Sequence, residues 1–216
     1  MKNKYCYSAI ITLAAIVVSQ QAMAANLQVS VVDFRQVPID FAVVYINEDL
    51  APLTGDPTEV DQVDKEFIPY VTAIQRGGAI NFLNNDNIRH QVYSFSEAKQ
   101  FEIPLFKGNP LRPVTFDNAG SVPIACNIHD WMSAYVYVVN TDKFVVTDTY
   151  GAGSIANLPN GEYEVVVWHP KMDGSAAATA QTVNIDGSDQ SLTFTVTQKP
   201  KMKAWRAPKN SIRRNY

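Results

Sequence analysis

Apolar and polar positions alternate with a period of two along much of this chain. LQVSVV (27–32), HQVYSFS (90–96), SAYVYVV (133–139), YEVVVWHP (163–170) and SLTFTVT (191–197) combine that alternation with β-branched and aromatic residues, the signature of strands with one buried face. DFAVVYI (40–46) is equally β-rich. RGG at 76–78, NAG at 118–120, PNG at 159–161 and DGS at 186–188 punctuate these runs as turns. FIPYVTAI (67–74) and AINFLNND (79–86) predict a strand pair about Gly77 and Gly78, and 114–126 predicts strand, turn, strand. The acidic stretch 47–66 reads as a linker or an edge. Residues 98–113, with three prolines, read as irregular. Helix-periodic stretches are scarce, so an all-β chain of antiparallel sandwiches is expected.

The N-terminus changes this picture. Lys2 and Lys4 precede an apolar run at 9–18, and Ala22-Met23-Ala24 is an A-x-A cleavage pattern. Residues 1–24 therefore read as a secretory signal peptide, with a periplasmic or otherwise exported product. No later stretch approaches spanning length, so the mature chain is expected to carry no integral membrane segment. Cys6 leaves with the signal. Cys126 is then a lone thiol in an exported chain, with no internal disulfide open to it and metal binding among its remaining uses.

Charge is uneven. Residues 25–198 hold 9 Lys/Arg against 21 Asp/Glu, a balance of −12, whereas 199–216 holds 7 basic residues and no acid. The stretch 198–216 is expected to be a flexible, solvated tail, with docking on an anionic partner or a membrane surface as the alternative. Nucleic acid is not an expected partner of an exported, mostly acidic protein.

Candidate chemistry concentrates in CNIHDWM (126–132). Cys126, His129 and Met132 stand three residues apart in a chain with three histidines. Thiolate, imidazole and thioether are soft to borderline donors that suit copper better than magnesium or calcium, and two His with one Cys and a distant Met form the blue-copper pattern. His90, after the turn-like NNDNIR, is the natural fourth ligand. His169, in WHP, reads as a strand-end histidine, with metal ligation or a cross-domain contact as its alternative.

The stretches TEVDQVDKEFIPYVTAIQRGGAINFLNNDNIRHQV and CNIHDWMSAYVYVV resemble the cupredoxins, and among them amicyanin and the amicyanin-like methylamine utilisation proteins. The resemblance covers 58–139 and rests on Asn84, the short Cys-to-His-to-Met spacing and the closing strand. It implies a type 1 copper site of His90, Cys126, His129 and Met132. It also implies electron exit through His129, beside Ile128 and Trp131. Gln91 stands where many relatives have Asn, and Ile128 and Asp130 stand where amicyanin has prolines. VVTDTYGAGSIANLPNGEYEVVVWHP resembles the carboxypeptidase regulatory-like, transthyretin-like β-sandwich. That likeness implies core positions at Leu158, Tyr163 and Val165 and turns at Gly153 and Gly161. Since 140–197 lacks the opening strands of such a sandwich and 27–57 has them, the expectation is a cupredoxin inserted into a sandwich of 27–57 plus 140–197.

Together these readings predict a single-copper electron carrier, not an enzyme, exchanging electrons with a redox protein such as a c-type cytochrome or a dehydrogenase. Copper storage or delivery, and a structural protein-binding sandwich, are the alternatives. Three histidines are too few for the trinuclear cluster of a copper oxidase.

Overall fold

The computed structural model describes residues 24–109 and 112–198. The expected signal peptide, except Ala24, and the expected tail, except Gln198, lie outside them. Alternation becomes layering. One sheet is formed by β3 (Thr58–Val63), β4 (Glu66–Ile68), β6 (Ala79–Phe82) and β9 (Val114–Thr115), in the order β4-β3-β6-β9. A second is formed by β5 (Val71–Gln75), β7 (His90–Phe95), β8 (Gln100–Phe106), β10 (Gly120–Ala125) and β11 (Ser133–Val139), in the order β5-β11-β10-β7-β8. Val60, Ile80 and Phe82 from the first meet Val92, Ile124 and Val136 from the second in one buried core.

The rest of the chain makes another pair of sheets. β1 (Ala24–Val32), β13 (Ala152–Pro159) and β16 (Gln190–Thr195) lie in the order β13-β1-β16. They face β2 (Val43–Ile46), β12 (Phe144–Val146), β14 (Gly161–Trp168) and β15 (Gln181–Ile185), ordered β12-β2-β14-β15. A short 3-10 turn at Ala176–Thr179 lies between β14 and β15. Leu27, Val29, Ile155 and Phe194 pack here against Val44, Ile46, Val165 and Val167.

Period two also explains how the two sandwiches join. On β11, Val136 and Val138 enter the first core while Tyr137 and Val139 face the other way. On β2, Val44 and Ile46 enter the second core while Val43 and Tyr45 face out. The outward sets meet: Trp168 stacks on Tyr137 with centroids 4.2 Å apart and planes at 12°, and the Tyr45 and Tyr137 hydroxyls are 3.3 Å apart. Burial raises both phenol pKa values.

Several elements differ from the sequence expectation. β5 and β6 do not pair with each other. β5 lies parallel to β11 and β6 parallel to β3, and the turn between them crosses from sheet to sheet. Its backbone is taken by other elements, Arg76 N–H donating to Val139 and Gly77 N–H to Phe116. β9 likewise pairs β6, not β10. The sandwiches are mixed, because β1 with β16 is a third parallel pair. Residues 58–63 form an inner strand, and 100–106 form an edge strand despite Pro104. β8 is the outermost strand of its sheet, and Pro104 falls where the register against β7 shifts, a place where a missing N–H costs no ladder bond. Gly153 and Gly161 lie within strands, not turns.

Candidate metal centre

β10 and β11 form a hairpin whose last pair is Ala125 with Ser133, so 126–132 caps one end of the five-stranded sheet. The loop is short and fastened. Cys126 N–H donates to the Met132 carbonyl at 3.0 Å and Met132 N–H to the His129 carbonyl at 2.9 Å. His90 opens β7, which pairs β10 through Tyr93 and Ala125, and so arrives at the same end.

Three of the four sequence-selected side chains converge. Donor atoms of His90, Cys126 and His129 all lie within 4.8 Å of one another. Cys126 Sγ is 3.8 Å from His90 Nδ1 and 4.0 Å from His129 Nδ1, and the imidazole centroids are 5.0 Å apart. An ion with bonds of about 2.0–2.3 Å to nitrogen and sulfur spans donors up to about 4.3 Å apart, so both separations fit one small ion. Met132, 1% exposed, shares the buried cluster of Cys126. His90 is fully buried, while His129 is half-buried beside Trp131, ring centroids 5.2 Å apart. Ile128 and Trp131 are exposed around it.

Sequence reasoning missed the group behind His90. His90 Nε2–H donates to Asp86 Oδ2 at 2.8 Å, which fixes the tautomer and leaves the Nδ1 lone pair turned toward Cys126. Asp86 is 8% exposed. It accepts backbone N–H bonds from Lys65 at 2.8 Å and Asn87 at 2.7 Å. Burial opposes its ionisation, but the bonds from His90, Lys65 and Asn87 outweigh it and hold the carboxyl below the usual Asp range. The available signal was an acid four residues before a candidate ligand within a turn. Asn84 secures the same turn, donating to the Ile88 and Phe106 carbonyls at 3.1 and 2.7 Å.

The His129 pKa is lowered by its own burial first, then by His90 and Lys65, with Asp86 opposing. Gln91 reaches Glu102 at 2.6 Å, binding β7 to β8. His169 stands apart as a structural histidine. Its Nδ1 accepts Lys171 N–H at 3.1 Å.

The donor set fits copper. A buried cysteine sulfur, two imidazoles presented through Nδ1 and a buried thioether on the cysteine's loop are the soft combination that selects this metal over hard cations. No protein-family model and no curated protein matches the chain. Solved structures similar to part of it include a copper-containing nitrite reductase from Thermus scotoductus, at 23% identity and TM-score 0.37, covering 44% of this chain and 25% of that one. A purple cupredoxin from Nitrosopumilus maritimus is similar at 19% identity and TM-score 0.35, over 39% of this chain and 100% of that one. A reduced amicyanin mutant is similar at 19% identity and TM-score 0.35, over 46% of this chain and 100% of that one. This chain thus spans about a quarter of the nitrite reductase and the whole of the two smaller proteins.

Proposed function

We propose that the protein is an exported single-copper electron carrier of the cupredoxin type. The observation that carries this is the convergence of His90, at the start of β7, with Cys126 and His129 within 4.8 Å, beside the loop that also holds Met132. Copper bound there would supply a one-electron couple. The chain's part is to hold the donors still, so that little rearranges when an electron passes. The fastened 126–132 loop and the Asp86 bond to His90 do this. Cys126 must give up its proton on binding, so affinity falls in acid. His90 is sealed from solvent, whereas His129 reaches the surface between Ile128 and Trp131. Electrons therefore leave through His129, across a small apolar patch of the kind that short-lived redox encounters use. The partner is a redox protein such as a c-type cytochrome or a dehydrogenase. Asp130, beside that patch in sequence, would favour a basic one.

In this reading, 58–139 is a cupredoxin unit set into a second sandwich of carboxypeptidase regulatory-like type. The pairing of β1 with β13 and β16, and of β2 with β12 and β14, supports it. Copper loading followed by visible and electron paramagnetic resonance spectroscopy is the test. One copper per chain with intense thiolate-to-copper absorption, lost in Cys126→Ser, is the expected result. A protein that takes up no copper, or a Cys126→Ser variant with an unchanged spectrum, refutes the reading.

A further inference from the structure

The first crossing between the sandwiches borders a cavity that the metal site does not use. The crossing chain is fastened on both sides of it. Gln75 Nε2 donates to the Ala51 carbonyl at 3.0 Å, Leu53 N–H donates to the Arg76 carbonyl at 2.8 Å, and Thr58 stands beside Ile80 in the ladder of β3 with β6. Residues 54–57 span the distance between these anchors. Close approach at Leu53 needs Gly77, whose φ is +87° and where a Cβ would lie 2.6 Å from the Leu53 carbonyl oxygen. At Gly55 a Cβ would meet nothing within 4 Å. The chain is therefore pressed down at Leu53 and stands clear at Gly55, and the cavity lies where it lifts.

The cavity holds about 270 Å³, the space of about nine waters at ~30 Å³ each. Leu53 and Asp56 line it from the crossing chain, Ala73 and Ile74 from β5, and Asp142 and Phe144 from the approach to β12 and from β12 itself. Both sandwiches thus supply walls. Most of these side chains are apolar, and water against them lacks partners. Phe144 is half-buried and packs against the seam cluster, so its ring is held in place. The two charged groups among these six are carboxylates. Asp142 already has one oxygen bound to Lys143 at 3.1 Å. Asp56 is exposed and makes no ion pair or hydrogen bond among the described residues.

We propose that this cavity binds a small organic cation, with a flat apolar body against Leu53, Ile74 and Phe144 and its positive end at Asp56. Clefts between folded units, mostly apolar and with a few polar groups at one side, are where small ligands bind. The charge follows from the walls. A cation is drawn by the carboxylate and by the face of an aromatic ring. An anion of the same shape would meet two carboxylates, and a neutral body would leave Asp56 unpaired. A hard metal ion needs about six oxygen ligands, which largely apolar walls do not supply. An occupant would touch both sandwiches and so hold them together.

The test is a nuclear magnetic resonance titration of the isotopically labelled full chain with benzyltrimethylammonium, benzyl alcohol and phenylacetate. The cation should shift the amide signals of Ala73, Asp142 and Phe144 saturably. Benzyl alcohol should shift the same signals with at least about fivefold weaker affinity, the loss of a cation–π contact and a charge pair, and phenylacetate should be weaker still. Asp56→Asn should lower the affinity for the cation to that for benzyl alcohol, and Leu53→Ser should weaken both. These positions are exposed, so unchanged melting verifies the fold. Glu97→Gln removes an exposed acid after β7, across the five-stranded sheet from β5, and should bind the cation as the parent does. No saturable shift at these amides, equal affinity for all three probes, or as large a loss in Glu97→Gln as in Asp56→Asn overturns the proposal.

Discussion

Asp86 has no role in the sequence pattern of copper ligands, yet it decides which nitrogen His90 offers. Its carboxylate accepts the Nε2–H hydrogen bond, and the bonds that hold its pKa down come from His90 at the start of β7 and from the backbone N–H groups of Lys65 and Asn87. Asp86→Asn keeps the size but removes the charge and can present either an acceptor or a donor to His90. Copper affinity, measured by competition with a chelator, should fall by about 10- to 100-fold, the usual cost of losing a partner behind a histidine ligand. An unchanged affinity would mean that the backbone alone orients the ring. His169 illustrates the opposite use of a buried histidine. Its burial, helped by Lys171 and opposed by Asp40, lowers its pKa to about 4 from the ordinary 6.5. The unfolded chain therefore takes up this proton first as pH falls. The stability held by neutral His169 is complete above about pH 6.5 and is lost progressively down to about pH 4, by at most about 3 kcal/mol. Denaturant titrations of His169→Gln beside the parent protein should show a stability gap that narrows across that window. A constant gap would remove the titration of His169 from the account. The candidate ligands stood out because the chain holds only two cysteines and three histidines, and Cys126, His129 and Met132 fall within seven residues. Asp86 did not, because one acid among 21 gains its meaning only from the turn that folds it back on His90.

Strands were legible wherever alternation ran for six or more residues, as in 27–32 and 133–139. Their partners were less so. Pattern records which face of a strand is buried but not which neighbour supplies its ladder, so the nearest run in sequence looked like the mate of 67–74, when β11 is. Short strands were also hidden: β9 has two residues, and β8 is interrupted by Pro104. Glycine shows the same ambiguity, since it serves turns and close strand packing alike. Gly153 serves packing. A Cβ on it would meet both methyls of Val145 at 2.9 Å, where β12 crosses over β13. At Gly161 the nearest contact would be the Tyr163 ring at 3.6 Å. Thermal unfolding should therefore separate two nominally equal changes. Gly153→Ala should cost about 1–3 kcal/mol through overpacking, and Gly161→Ala should stay within about 0.5 kcal/mol. Equal costs at both positions would show that β12 yields without penalty.

At the scale of the whole molecule, two sandwiches share one apolar seam, and the metal loop sits at the end of the strand that forms half of it. β11 is buried on both faces, by its own core through Val136 and Val138 and by the second sandwich through Tyr137 and Val139. The chain crosses between the units twice, and the first crossing is bound down: Leu50 N–H donates to Asn140, and Arg76 donates to the Leu50 carbonyl and to Asp49 at 2.9 Å each. A seam of this kind couples unfolding, because opening either sandwich exposes the stacked Tyr137 and Trp168 to water. The intact protein should melt in a single calorimetric transition with matching van't Hoff and calorimetric enthalpies. Trp168→Ala removes the 4.2 Å stack. Trp168 is only partly buried, so the loss should be about 2–3 kcal/mol, somewhat below that for a fully buried tryptophan. The transition should then divide in two. Copper stabilises only the unit that binds it, by mass action, so in the variant added copper should raise one of the two transitions and leave the other in place. In the parent protein it should raise the single transition as a whole. Two transitions in the parent, or one copper-shifted transition in Trp168→Ala, would show that the seam does not couple the sandwiches.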